Sequence, residues 1–188
     1  MGEDMPVAIR VLIVEDSEDD ALLLLRELKK GGYEPKFRRV DTPEAMEKAI
    51  VSEPWDIVIA DYAMPRFNGL AALKILQDKG PDIPFILTSG TVGEDTAVKA
   101  MKAGAHDYIM KDNLTRLVSA VERELKEAEV RRSRREAEDE LRSTKEFLRL
   151  QIERMPIGCI MWDHDFRGDL VEPGRGEYLR VQGRRGDR

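Results

Sequence analysis

Five residue positions in this chain could do chemistry together. Glu15 and Asp16 follow the apolar run 9–14, Asp61 follows 57–60, Thr88 follows 83–87, and Lys111 follows the short run 107–110. Each stands where an apolar segment gives way to a loop. Two like charges about 4 Å apart repel by about 4 kcal/mol at an effective dielectric near 20. If Glu15, Asp16 and Asp61 converge, the cluster must therefore bind a cation, take up a proton or accept a lysine. A hard divalent cation such as Mg2+, held by carboxylate oxygens, a carbonyl and waters, suits that donor set. An ionised Asp61 beside it needs no general base to attack a phosphoryl group. Mg2+, Lys111 and the Thr88 hydroxyl would then hold the phosphoryl oxygens.

Convergence depends on the elements that carry these residues. Residues 57–60 are uniformly apolar between Asp56 and Asp61, the pattern of a strand buried on both faces. Residues 9–14 and 83–87 read the same way, 107–110 as a shorter strand, and 36–40 as a weaker one near a sheet edge. Helical patterns lie between them. One is capped by Ser17, carries Asp19 and Asp20 in its first turn and ends at Gly31-Gly32. Another starts at Thr42-Pro43. A third covers 69–79, with Met64-Pro65 and Gly69 read as loop geometry. A fourth covers 94–103, and a fifth begins near Leu114. Strands alternating with helices predict an α/β fold, a doubly wound five-stranded parallel sheet of flavodoxin-like order 2-1-3-4-5. In that order the ends of strands one and three are neighbours, which brings the three acids together.

Beyond Leu114 there is no glycine or proline until Pro156. Leu117, Val121 and Leu125, then Ala137, Leu141, Thr144 and Leu148, recur by threes and fours. This predicts a long C-terminal helical extension that could pair with a second copy, with one polar turn at 131–135. The arginines there read as a solvated helix face, and His106 and His164 as surface residues. The expected organisation is a domain over 8–127, a helical connector over 128–155, and an irregular tail over 156–188. The net charge of −6 argues against direct DNA binding. The lone Cys159 excludes an intrachain disulfide and a cysteine metal cluster. No apolar run reaches about 18 residues, so the expectation is a soluble cytoplasmic protein without a membrane partner.

The stretches VLIVEDSEDD, DIVIADYAMPRFNGL, FILTSG and GAHDYIMKDN resemble the response-regulator receiver domain of two-component signalling. The resemblance implies Asp61 as phosphoacceptor, with a sensor histidine kinase as donor. It implies Asp16 as a direct Mg2+ ligand, Glu15 as a ligand through water, and the Ala63 carbonyl as a further ligand. Thr88 would be the switch hydroxyl, Tyr108 the switch aromatic that turns inward, and Lys111 the phosphate-binding lysine. Output would pass through helix four, strand five and helix five. Such a domain takes up and loses its own phosphoryl group and is not otherwise an enzyme. Asp112 departs from the family, which usually has proline there, and this puts the geometry of the Lys111 loop in question. The alternative is a constitutive dimerisation or scaffold module whose site is not used.

Residues 147–167 resemble the opening of a PAS sensory domain, a lead-in helix ended by Pro156-Ile157-Gly158, a strand at 159–162 and a turn at 163–165, but the Gly/Arg-rich remainder departs from that family. Residues 171–185 can be encoded by one set of synonymous codons that, read one nucleotide later, gives a Trp-Asn-Pro…Phe-Gly-Tyr stretch of PAS type. A frameshift near Arg167 that truncates a receiver–PAS protein is the expectation this raises.

Overall fold

The computed structural model describes residues 6–79, 82–90, 94–153, 159–162, 167–171 and 178–182. It divides into two units, residues 1–132 and 133–188. In the first unit, strands β1 (Val7–Val14), β2 (Tyr33–Val40), β3 (Ile57–Asp61), β4 (Phe85–Ser89) and β5 (Asp107–Met110) form one sheet. All its pairings are parallel, and the order is β2-β1-β3-β4-β5 as expected. Helices α1 (Glu18–Lys30), α2 (Pro43–Ser52), α3 (Gly69–Lys79) and α4 (Glu94–Lys102) connect the strands. A 3-10 helix (Lys111–Arg116) leads into α5 (Leu117–Glu153).

The period of two along a strand sorts the central residues between two cores. Val11 and Ile13 of β1, Ile57 and Ile59 of β3 and Ile86 of β4 face α1 and α5, where Leu24, Leu28, Leu117 and Val121 meet them. Leu12, Val14, Val58, Ala60, Phe85 and Leu87 face the other way, toward Met46 of α2 and Leu73 and Leu76 of α3. Burial on both faces is why these strands carry unbroken apolar runs.

Helix starts follow the caps read from sequence. Ser17 Oγ accepts from the Asp20 amide at 3.2 Å, and Thr42 Oγ1 accepts from the Ala45 amide at 3.3 Å. Gly69, at the start of α3, has a tighter role. A Cβ there would lie 2.7 Å from the Asp61 carbonyl oxygen and 2.3 Å from Leu87 Cδ2. Gly69→Ala is expected to destabilise the domain by about 1–3 kcal/mol, because the backbone of Asp61 itself must give way. Urea denaturation of the variant measures this, and unchanged stability would show that α3 can shift freely.

Several boundaries differ from the sequence expectation. The second strand begins at Tyr33 rather than 36, because Pro35 is tolerated at a sheet edge. The fourth strand starts two residues later than expected and continues through Thr88 and Ser89. His106 is half-buried, not a surface residue: its Nδ1 accepts from the Phe85 amide at 3.1 Å. No polar turn interrupts α5 at 131–135. Arg131 pairs with Asp82 at 3.3 Å and Arg134 with Glu138 at 2.8 Å. Arginine and glutamate are good helix formers, so charge there marks a wet surface rather than a break.

In the second unit, the strand expected at 159–162 forms, and the part of the tail expected to be irregular contains two more. β6 (Cys159–Trp162), β7 (Arg167–Val171) and β8 (Tyr178–Gln182) pair antiparallel in the order β6-β7-β8. The Gly/Arg-rich composition hid β7 and β8. The helix terminator at 156–158 and the turn at 163–165, with His164, lie outside the described residues. No described helix is long and apolar enough to cross a membrane.

Candidate functional site

The carboxyl ends of β1, β3, β4 and β5 place the expected residues around one point. Strand β3 delivers Asp61 there, only 7% exposed and opposite Thr88 in the ladder. Carboxylate oxygens of Glu15, Asp16 and Asp61 lie within 4.8 Å of one another. Glu15 is buried and Asp16 is exposed. This hard, anionic oxygen set fits a divalent cation of the Mg2+ type.

Lys111 sits among these acids. Its Nζ lies 2.8 Å from Glu15 Oε2 and 3.2 Å from Asp61 Oδ2. Asp112, in place of proline, is exposed and begins no rearrangement that removes the lysine: Lys111 opens the 3-10 helix and still reaches the site. Burial acts to lower the pKa of this ammonium, but hydrogen bonds to Asp20 and Glu15 outweigh it and raise the value. Burial raises the Glu15 carboxyl above its ordinary value, against the opposing pull of Lys111 and the Ser17 amide. The pair thus carries a fixed cation beside a carboxylate that is costly to leave unpartnered.

The remaining expected residues have distinct surroundings. The amide of Ala63 donates to Asp61 Oδ1 at 3.4 Å, which holds the loop after β3 over the acid. Thr88 is fully buried, and its hydroxyl donates to the Ala60 carbonyl at 3.3 Å. A phosphoryl oxygen would have to draw it from that bond. The Tyr108 ring packs against the α2/α3 core, and its hydroxyl is enclosed with no partner among the described residues. It therefore already lies inward in this state. An unpaired buried hydroxyl carries a desolvation cost of about 1–3 kcal/mol. Tyr108→Phe should consequently leave the melting temperature unchanged or raise it. A fall corresponding to more than about 1 kcal/mol would mean that the hydroxyl has a partner in solution.

Two residues of the site were missed by sequence reasoning. From sequence Asp20 reads only as an acid in the first turn of α1, yet its Oδ2 lies 2.5 Å from Lys111 Nζ. Its spacing of four from Asp16 was the available signal. Arg39 of β2 donates through Nη1 to the carbonyls of Glu15 (3.0 Å) and Asp16 (3.3 Å), bracing the loop that presents both acids. No local pattern could have found it, because its reach depends on β2 lying beside β1.

Comparison with known proteins places this geometry in context. The family model for the response regulator receiver domain matches residues 11–122. The chemotaxis protein CheY of Thermotoga maritima is 36% identical over 102 residues, which is 54% of this chain and 84% of CheY. Response regulator protein FleR of Pseudomonas aeruginosa is 35% identical over 105 residues, covering 56% of this chain and 22% of FleR. The chain therefore spans most of a stand-alone relative but about a fifth of a larger one. Among solved structures, the beryllofluoride-activated NtrC4 receiver domain dimer aligns with a TM-score of 0.56 and 29% identity. That alignment covers 63% of this chain and 98% of the NtrC4 domain.

Proposed function

Since the chain belongs to the response regulator receiver family, we propose that it is a phosphorylation-dependent signalling switch with Asp61 as its phosphoryl acceptor. The observation that carries this reading is the placement of Asp61: nearly buried at the end of β3, beside two further acids, with Lys111 Nζ at 3.2 Å. An Asp61 oxygen attacks phosphorus while the P–N bond of a partner kinase's phosphohistidine breaks. The bonding electrons return to the imidazole nitrogen, and Asp61 becomes an acyl phosphate. Asp16 would bind Mg2+ directly, Glu15 through water, with Asp61 and the Ala63 carbonyl completing the protein ligands. Bound there, the ion would neutralise negative charge on the phosphoryl oxygens during the transfer. Lys111 turns its ammonium to the phosphoryl group, and Thr88 exchanges the Ala60 carbonyl for a phosphoryl oxygen. The acyl phosphate is later lost by the domain's own hydrolysis, and no external substrate is turned over.

Thr88 and Tyr108 link the acceptor to the face formed by α4, β5 and α5. Val98 and Met101 of α4 are about half exposed there, apolar surface suited to a partner that reads the switch. Leu141 and Leu148 of α5 are exposed and seven residues apart, which suits homodimer formation through that helix. We place the switch in the cytoplasm with its kinase and assign it no DNA or membrane contact. Residues 147–167 are read as the opening of a PAS domain and the residues after them as frameshifted, which sequencing of the gene tests. Phosphoryl uptake from acetyl phosphate by the full chain, with and without Mg2+, tests the central reading, and equal uptake by Asp61→Asn would refute it.

A further inference from the structure

Lys111 and a divalent ion need the same oxygens. Its ammonium has three protons and three carboxylate partners: Asp20 Oδ2 at 2.5 Å, Glu15 Oε2 at 2.8 Å and Asp61 Oδ2 at 3.2 Å. Glu15 and Asp61 also belong to the acidic triad whose oxygens converge within 4.8 Å, whereas Asp20 stands outside it. An ion entering the triad must displace the ammonium from Glu15 and Asp61. Released into water, the ammonium would keep no partner. Asp20 changes that outcome. Its side chain is 35% exposed and on the first turn of α1, so it can hold a cation at the rim of the site without occupying the triad.

We propose that Asp20 is a positioning residue that retains the Lys111 ammonium when Mg2+ enters the triad, and so sets how readily the site loads the ion. This rests on the receiver reading of the site and deepens it. Asp20 lets two cations share a pocket that would otherwise admit them only in turn. The flexible four-carbon stem of lysine allows a shift from Glu15 and Asp61 toward Asp20 without movement of the backbone. From Asp20 the ammonium is still at the rim, within reach of the phosphoryl group that Asp61 accepts.

The test is a double-mutant cycle on the full chain, with Mg2+ affinity read by titration calorimetry. High ionic strength suppresses the bare charge effect of a half-exposed aspartate. Asp20→Asn should weaken Mg2+ binding roughly tenfold when Lys111 is present, since the ammonium then returns to Glu15 and Asp61. In a Lys111→Met background the same substitution should change affinity by less than about twofold. Equal ratios in the two backgrounds would overturn the proposal, because Asp20 would then act only through its charge on the ion. Should Lys111→Met fail to fold, the Lys111 ammonium nitrogen resonance at saturating Mg2+ decides. A shift on Asp20→Asn supports retention, and an unchanged resonance overturns it. A wild-type chain that takes up no Mg2+ would remove the receiver reading and this inference together. Mg2+ binding without coupling removes the inference alone.

Discussion

Asp61→Asn is expected to abolish phosphoryl uptake. With acetyl phosphate and Mg2+, the wild-type chain should form an acid-labile acyl phosphate, and the variant should lose more than about 100-fold of that rate, a barrier increase above about 2.7 kcal/mol. The reason is chemical rather than architectural. The amide of asparagine is neutral and its nitrogen lone pair is delocalised, so no ionised oxygen faces the incoming phosphorus. The fold should persist, because the substitution preserves shape at a position that stands opposite Thr88 in the parallel ladder between β3 and β4. Circular dichroism and a melting curve check that. Oligomeric state before and after phosphodonor, measured by sedimentation, shows whether uptake also drives assembly. Uptake that persists in Asp61→Asn would move the acceptor elsewhere, and no uptake in either protein would favour a scaffold whose site is unused.

The second large effect is expected from Lys111→Met. The side chains of Glu15 and Asp61 are 1% and 8% exposed, and Lys111 is their common counter-ion. Removing one partner of a buried ion pair costs about 3–5 kcal/mol. Partial exposure of Lys111 and Asp20 reduces this, so a loss of about 2–3 kcal/mol is expected at neutral pH in chelator. Excess Mg2+ should restore part of it, by supplying the missing positive charge.

The pH dependence of that loss has a defined sign. The folded-state pKa of Glu15 is already raised, chiefly by burial, and Lys111 is the main force opposing the rise. Without the lysine the rise grows. A carboxyl raised in the folded state favours folding below its unfolded pKa, and that contribution disappears as pH climbs through the folded value. The Lys111→Met deficit should therefore be largest at neutral pH and shrink on acidification toward about pH 5. Urea denaturation at the two pH values measures it. A deficit that does not vary with pH would mean that lysine packing, not charge, had been lost.

Much of the fold was legible because its signals are local. The runs at 9–14 and 57–60 announce doubly buried strands, and Ser17 and Thr42-Pro43 announce helix starts, all within a few residues of chain. The misreadings have local causes too. Pro35 and the charges around it hid only the first three residues of the edge strand read at 36–40. The arginines at 131–135 suggested a break where helix-forming residues simply face water. Glycine and arginine in the tail concealed β7 and β8, whose pairing depends on partners in other strands.

The site divides along the same line. Sequence alone determined which groups could react: Glu15, Asp16, Asp61, Thr88 and Lys111 each stand at the end of an apolar run, and chain order with strand alternation leaves few sheets that could gather them. Tertiary structure decided what each group touches. It set Lys111 among three carboxylates, drew in Asp20 from α1 and Arg39 from β2, tied the Thr88 hydroxyl to Ala60 and enclosed the Tyr108 hydroxyl with no partner among the described residues. Those contacts join residues up to 96 positions apart. Residue type and short spacing fix chemical capacity, whereas contacts over such separations exist only once the sheet order has set which strand ends are neighbours.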